Sequence, residues 1–280
     1  MRQINVEEIT NTVRDMCISV NYELSGDMKN VLCAAAGKEE SPLGRQILEQ
    51  LKENMDIAKE DMIPICQDTG MAVIFIEIGQ DVHFVGGSLE AAINEGVRRG
   101  YTEGYLRKSV VGDPLIRENT KDNTPAIIHY SIVDGESVKI TLSPKGFGSE
   151  NMSRIQMLKP ADGVEGFKKF VLDTVKLAGS NPCPPIVLGI GVGGSFDKVA
   201  YLAKKALLRP LDVPNPDPYY AQLEQELLAA INALGIGPQG FGGRTTCLGL
   251  AIEQMPTHVA GLPVAVNVSC HVTRRASAEL

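Results

Sequence analysis

Six consecutive residues, Ile65-Cys66-Gln67-Asp68-Thr69-Gly70, place a thiol, an amide and a carboxylate in one short segment. They stand between the charged stretch KEDMIP and the apolar run MAVIFIEI. Small polar residues ahead of an apolar run signal a turn. A thiol and a carboxylate in one turn also suit metal ligation or acid–base chemistry. Cys183 raises the same question, because Asn181-Pro182-Cys183-Pro184-Pro185 is rigid, non-helical backbone, pre-shaped to point a side chain. Cys270 follows a predicted strand and adjoins His271, which competes with it as a ligand. Cys247 ends the glycine-rich stretch GFGGRTTC. Cys17 and Cys33 lie in helical segments and read as core, since free cysteine is among the most buried residue types. No two cysteines form a C-x-x-C pair, so there is no local metal motif.

Among the histidines, His83 and His129 fall in or beside predicted strands and read as structural. His258, in Met255-Pro256-Thr257-His258, sits in a predicted turn. Its ordinary pKa near neutrality suits a proton relay, and simple solvation is the alternative.

Three glycine-rich segments are candidates for ligand contact. Gly189, Gly191 and Gly194 of GIGVGG match G-x-G-x-x-G after a predicted strand and before a predicted helix. A dinucleotide site also needs an acidic residue ending a second strand some ~20 residues on. The chain there reads PLDVPNPDPYY, which cannot be a central strand. What remains is a tight strand-to-helix turn with Ser195 as N-cap, or a turn whose N–H groups face an anion. PKGFGSEN and GFGGRTTC lack Gly-Lys-Ser/Thr and are not Walker A loops. Each is a surface turn or a place where backbone approaches a ligand closely.

Around these residues lies an ordinary globular composition: 280 residues, 44% hydrophobic and 22% charged. With no Trp and only 5% aromatics, no stacking platform for single-stranded nucleic acid is expected. A net charge of −7 argues against a broad phosphate-binding surface, though not against a small anionic substrate held by local Arg or Lys. No run reaches the ~20 apolar residues of a membrane span. The N-terminus lacks a signal-peptide layout, which places the chain in the cytoplasm with its six cysteines reduced.

The elements that must position these groups begin with helices. Val6–Ile18 and Met28–Ala36 have helical spacing, and Ser41-Pro42 opens a third helix with Leu43, Ile47, Leu48 and Leu51 on one face. Ala72–Ile78 is a predicted strand, and Ser88 caps a helix through about Arg107. Ala126–Val133 and Ser137–Leu142 are predicted strands, with Asp134-Gly135 signalling a hairpin between them. Helix Val164–Ala178, strand Ile186–Ile190, helix Phe196–Leu208, a proline-rich connector, helix Tyr219–Leu234 and strand Pro263–Val268 follow. The fold class is α+β, or irregular α/β: a helical part over about 1–60 and a mixed part over about 61–280, read as one domain.

Taken together, ICQDTG, KGFGSEN, NPCPP with GIGVGGS, and PTHVAGLPVAVNVSCH resemble the iron–sulfur hydro-lyases, the class I fumarases and tartrate dehydratases. The likeness runs over nearly the whole chain and is to their N-terminal, cluster-binding half, which is a separate alpha chain in two-subunit members. It implies a [4Fe–4S] cluster held by Cys66, Cys183 and Cys270, with one iron lacking a protein ligand and acting as Lewis acid on a substrate hydroxyl and carboxylate. It implies that Gln67 and Asp68 reach the substrate, Asp68 assisting or orienting proton transfer. It makes His258 the active-site histidine, Arg107 a bidentate carboxylate ligand and Gly148 a backbone N–H donor to substrate. A solvated arginine is the alternative for Arg107.

Family members carry further arginines, a lysine and a catalytic threonine in a C-terminal half. This chain ends at VTRRASAEL, just after the third cysteine. The expectation is an alpha subunit that acts only with a beta subunit, in a hetero-oligomer such as α2β2. Its substrate is a small dicarboxylate: fumarate hydrated to malate, with L(+)-tartrate dehydration as the alternative. Two rivals from other classes are a zinc protein using Cys66, Cys183, Cys270 and His258 or His271, and a non-catalytic interaction subunit with inert cysteines.

Overall fold

The computed structural model describes residues 1–280. In chain order the elements are β1 (Arg2–Asn5), α1 (Val6–Tyr22), α2 (Gly26–Lys38), α3 (Pro42–Glu60), β2 (Met71–Gly79), β3 (Val82–Val85) and α4 (Leu89–Glu103). Then come β4 (Ile127–Val133), β5 (Val138–Lys145), α5 (Phe147–Glu150), β6 (Arg154–Leu158), α6 (Gly163–Ala178), β7 (Ile186–Gly194), α7 (Phe196–Ala206), α8 (Pro218–Asn232), β8 (Cys247–Thr257), β9 (Leu262–Ser269) and β10 (Ala276–Glu279). This is the expected mixed α/β order, with long helices ahead of the larger sheets. No helix is long and apolar enough to cross a membrane.

The chain forms two compact units. The first comprises Met1–Ser25, Met55–Phe147 and Arg274–Leu280. Its sheet has the order β10-β5-β2-β4, beside a small β1-β3 pair. Ile74 and Ile76 of β2 and Ile140 and Leu142 of β5 join Ile9, Val13 and Cys17 of α1 and Ile93, Val97 and Tyr101 of α4 in one core. The two helices pack closely because α4 carries glycine where α1 approaches. A Cβ at Gly96 would lie 2.7 Å from the Thr10 carbonyl, and one at Gly100 would lie 2.6 Å from the Cys17 Cβ. Cys17 is the core residue expected of it.

Two expectations for this unit are corrected. The helix capped by Ser88 ends at Glu103, with Gly104 as its C-cap, so Arg107 lies beyond it in irregular chain. β4 and β5 do not form a hairpin. β2 lies between them, parallel to β4 and antiparallel to β5. The Asp134-Gly135 turn instead crosses the end of β2, where Gln80 and Asp81 donate to the carbonyls of Val133 and Gly135. Gly79 makes room, since a Cβ there would sit 2.4 Å from the Gly135 oxygen.

The second unit comprises Gly26–Asn54 and Gly148–Thr273. Its sheet has the order β6-β9-β7-β8. Leu188 and Ile190 of β7 face the core formed with Phe167, Phe170 and Val171 of α6 and Leu223, Leu227 and Ile231 of α8. The alternate β7 residues, Gly189 and Gly191, face α7. A Cβ at Gly189 would lie 2.0 Å from the Ala203 carbonyl, and one at Gly191 would lie 2.3 Å from that of Val199. GIGVGG is therefore mostly strand, where glycine lets a helix rest on bare backbone. Its neighbours β8 and β9 pair with it from both sides, so these residues form no anion-facing turn. Only Gly193 and Gly194, at φ +87 and +67, make the bend to α7. Ser195 holds the N-cap position, with its hydroxyl bonded to the Asp197 carboxylate rather than to backbone.

Ser41 caps α3 as expected, its hydroxyl accepting from the Gly44 N–H at 3.1 Å. Cys33 differs from expectation: it is exposed, on α2. Cys247, which ends the glycine-rich stretch, is buried at the start of β8.

Candidate metal and substrate site

In the first unit the Cys66–Gly70 segment is braced from several sides. The Ile65 N–H donates to the Asn21 carbonyl at 2.9 Å. The Tyr101 hydroxyl reaches the carbonyls of Thr69 and Gly70 at 2.9 and 3.0 Å, and the Asn123 amide donates to the latter at 3.1 Å. The Thr69 hydroxyl donates to the Arg107 carbonyl at 3.1 Å, which ties Arg107 to the loop. Gly70 takes φ +78, and a Cβ there would lie 2.8 Å from Lys145 backbone. Rigid bracing of this kind leaves the side chains of a loop free to act while its backbone stays fixed.

What the loop presents is a half-buried Cys66, an exposed Gln67 and a half-buried Asp68. The Asp68 N–H lies 3.4 Å from the Cys66 sulfur, a donor suited to a thiolate. The Asp68 carboxylate accepts from the Gly70 N–H at 3.1 Å and from the Phe147 N–H at 2.9 Å. Each oxygen keeps a further lone pair for another donor. Arg107 has an exposed side chain. Cys66, Gln67 and Asp68 thus share one loop, to which Arg107 is tied through its backbone carbonyl.

In the second unit Cys183 occupies a turn closed by its own N–H on the Ser180 carbonyl at 3.1 Å. Its φ of +53 is unusual for a residue with a side chain and is held by its surroundings. His271 Nδ1 donates to the Cys183 carbonyl at 2.9 Å, and the Gln239 N–H and side-chain amide donate to the Pro184 carbonyl at 2.7 and 2.8 Å. The Thr273 hydroxyl fixes the Cys270 carbonyl at 2.8 Å. The antiparallel register of Val187 with Ser269 puts the start of β7 beside the end of β9, so Cys183 and Cys270 share one end of the sheet. Gly148 lies nearby in α5, since a Cβ on it would come 3.9 Å from the Asn181 carbonyl. In the first turn of a helix its N–H has no intrahelical acceptor. Glu150 anchors α5 by accepting from the Asn267 amide of β9 at 2.6 Å and pairing with Lys204.

His258 is placed differently. It follows β8 directly, and Thr257 is in register with Gly194 at the far end of β7. β9, from Leu262 to Ser269, therefore separates it from Cys270, about 25 Å of strand. There it is exposed, its Nδ1 accepting from the Ala260 N–H at 3.1 Å, beside an apolar cavity lined by Phe167, Tyr219 and Tyr220.

None of the six cysteines is in a disulfide. Burial pushes the Cys17 thiol up, and it pushes Cys247 up to about 12 against the opposing Gly249 carbonyl contact, so both stay protonated. Cys66 and Cys270 are half-buried and Cys183 is exposed, each in irregular chain. Cysteine is the residue type that holds iron–sulfur clusters. No three His, Cys, Asp or Glu side chains are grouped to hold a single metal ion.

Sequence reasoning passed over Tyr101, Asn123 and Arg274, which hold the loop. Tyr101 continues the apolar stripe of α4 four residues after Val97, so its spacing reads as core and its hydroxyl gives no signal. Asn123 and Arg274 lie in segments without periodicity.

A family profile described as Fumarate hydratase (Fumerase) matches residues 10–279. The chain belongs to the iron–sulfur fumarase and L(+)-tartrate dehydratase alpha-subunit family. It is 43% identical over 275 residues to a protein of Methanocaldococcus jannaschii provisionally named L(+)-tartrate dehydratase subunit alpha, covering 96% of each chain. It is 30% identical over 277 residues to L(+)-tartrate dehydratase subunit alpha of Escherichia coli strain K12, covering 98% of this chain and 91% of that one. The same identity and coverage hold for the subunit of that name in Shigella sonnei.

Proposed function

We propose that this chain is the alpha subunit of an L(+)-tartrate dehydratase, working with a separate beta subunit. The observation that carries the substrate is likeness along nearly the full length of subunits bearing that name. Fumarate hydration to malate is the second reading, supported by the family description. The two reactions share their chemistry: water is lost or gained across a carbon–carbon bond flanked by carboxylates.

In this proposal Cys66, Cys183 and Cys270 hold a [4Fe–4S] cluster. When bound, the cluster supplies an open iron that makes the substrate hydroxyl a better leaving group. The chain's own residues do the rest. Arg107 offers a planar fork to a substrate carboxylate. Gln67 and the Gly148 N–H donate to substrate oxygens. Asp68, fixed by two backbone donors, orients or assists removal of the proton from the adjacent carbon. The role of His258 rests on its motif alone, and His258→Asn decides it.

The test is co-expression with a beta subunit, anaerobic purification and assay of both substrates. A kcat/KM for L(+)-tartrate above that for fumarate supports the proposal, and the reverse order selects the second reading. Turnover of either substrate by the isolated chain would remove the beta subunit from it.

A further inference from the structure

Arg274 is 2% exposed in the first unit. Its Nη1 donates to Asn21 Oδ1 at 2.6 Å and its Nη2 to the Asp68 carbonyl at 2.8 Å. Its Nε is buried with no acceptor. Both acceptors are neutral, and no carboxylate pairs with it. A guanidinium cannot shed its proton, so a buried one on neutral acceptors is costly unless the arrangement serves something else. Asn21 is fully buried: its amide donates to the Cys17 carbonyl at 2.8 Å and its own carbonyl accepts the Ile65 N–H. One fork thus ties the end of α1 to the middle of the Cys66–Gly70 loop.

We propose that Arg274 is a positioning residue that clamps this loop through the Asp68 carbonyl and sets a fixed positive charge beneath it. The clamp holds Gln67 and Asp68 at one orientation, and its charge is balanced by anionic contents of the site. A dicarboxylate and a thiolate-held cluster are both anionic, so this inference rests on the proposed function for the ligand and on the hydrogen bonds for the clamp. An ammonium cannot bridge both acceptors as the planar fork does. Arg274→Lys should therefore fail as Arg274→Met does, although it keeps the charge.

The test is hydrogen exchange on the full chain without iron, for wild type, Arg274→Met and Arg274→Lys, followed by anaerobic reconstitution. The expected result is exchange at Ile65, Gly70 and Phe147 faster by about tenfold or more in both variants, with α1 and the centre of β2 unchanged. Reconstituted variants should also release iron faster than wild type. Unchanged loop exchange in a folded variant, or a uniform rise through α1, β2 and the loop, would overturn the clamp. Should Arg274→Met not fold, Arg274→Lys decides the question by the same readout. A loosened loop in a chain that never binds iron keeps the clamp and removes the proposed function. Iron binding with a loop indifferent to Arg274 does the opposite.

Discussion

At the scale of single residues, burial separates the six cysteines: Cys17 and Cys247 are buried, and Cys33, Cys66, Cys183 and Cys270 are not. Anaerobic reconstitution of Cys66→Ser, Cys183→Ser and Cys270→Ser should each abolish the visible absorption and the acid-labile sulfide of the wild type. Cys33→Ser, changing an exposed thiol on α2, should retain both. Equal iron in all four variants would refute the ligand assignment. Asp68→Asn makes a second test. The side-chain oxygen that accepts the Phe147 N–H would become an amide nitrogen facing another donor. The expected cost is about 1–3 kcal/mol in stability, read by denaturant unfolding, in addition to lost turnover. The loop was conspicuous in sequence because its residue types are reactive. Its braces were not, because a hydroxyl on a core tyrosine or a buried arginine acquires meaning only from what it touches.

At the scale of elements, two glycine pairs act as contact surfaces. Gly96 and Gly100 seat α4 on α1, and Gly189 and Gly191 seat α7 on β7. A methyl group on Gly191 would meet the Val199 carbonyl, so α7 must lift from the sheet. Gly191→Ala is expected to destabilise by about 2–3 kcal/mol, measured by urea unfolding, with Gly26→Ala as the control because nothing lies near its Cβ position. Helix positions were readable because their periodicity and caps are local, Ser41 and Ser88 above all. Pairing was not. The Asp134-Gly135 turn has hairpin residues, yet β2 enters between β4 and β5, a long-range choice that no turn encodes. The GIGVGG run was misleading for a related reason: glycine reads as a bend, whereas here it marks where another element presses on a strand.

At the scale of the whole molecule, the chain passes from one unit to the other after residues 25, 54, 147 and 273, so local stability in either unit depends on segments distant in sequence. Glu39 illustrates this in the second unit. Buried to 1% exposure, it accepts from the N–H groups of Ser41, Arg244 and Thr245 at 2.8–3.0 Å, joining the α2–α3 connection to the GFGGRTTC loop. Burial pushes its carboxyl up, but the N–H donors and the Thr245 side chain prevail and hold it down to about 2, against an ordinary 4.5. A carboxyl depressed on folding stabilises fully above its unfolded pKa, and that contribution fades as pH falls from 4.5 toward 2. It amounts to about 3 kcal/mol. Glu39→Gln should lose about that much at neutral pH and show a flatter acid limb in pH-dependent unfolding. An acid limb identical to wild type would refute the assignment. From sequence alone came the mixed α/β class, the family, and the short motifs with their reactive side chains, because composition, periodicity and motif are properties of neighbours along the chain. Only the tertiary structure decided which strands pair, which cysteines stay accessible, that Cys183 and Cys270 share a sheet end while His258 lies at the other, and that a buried arginine braces the loop. Those are contacts between residues far apart in sequence, selected by burial and hydrogen-bond satisfaction together, and no local pattern carries them.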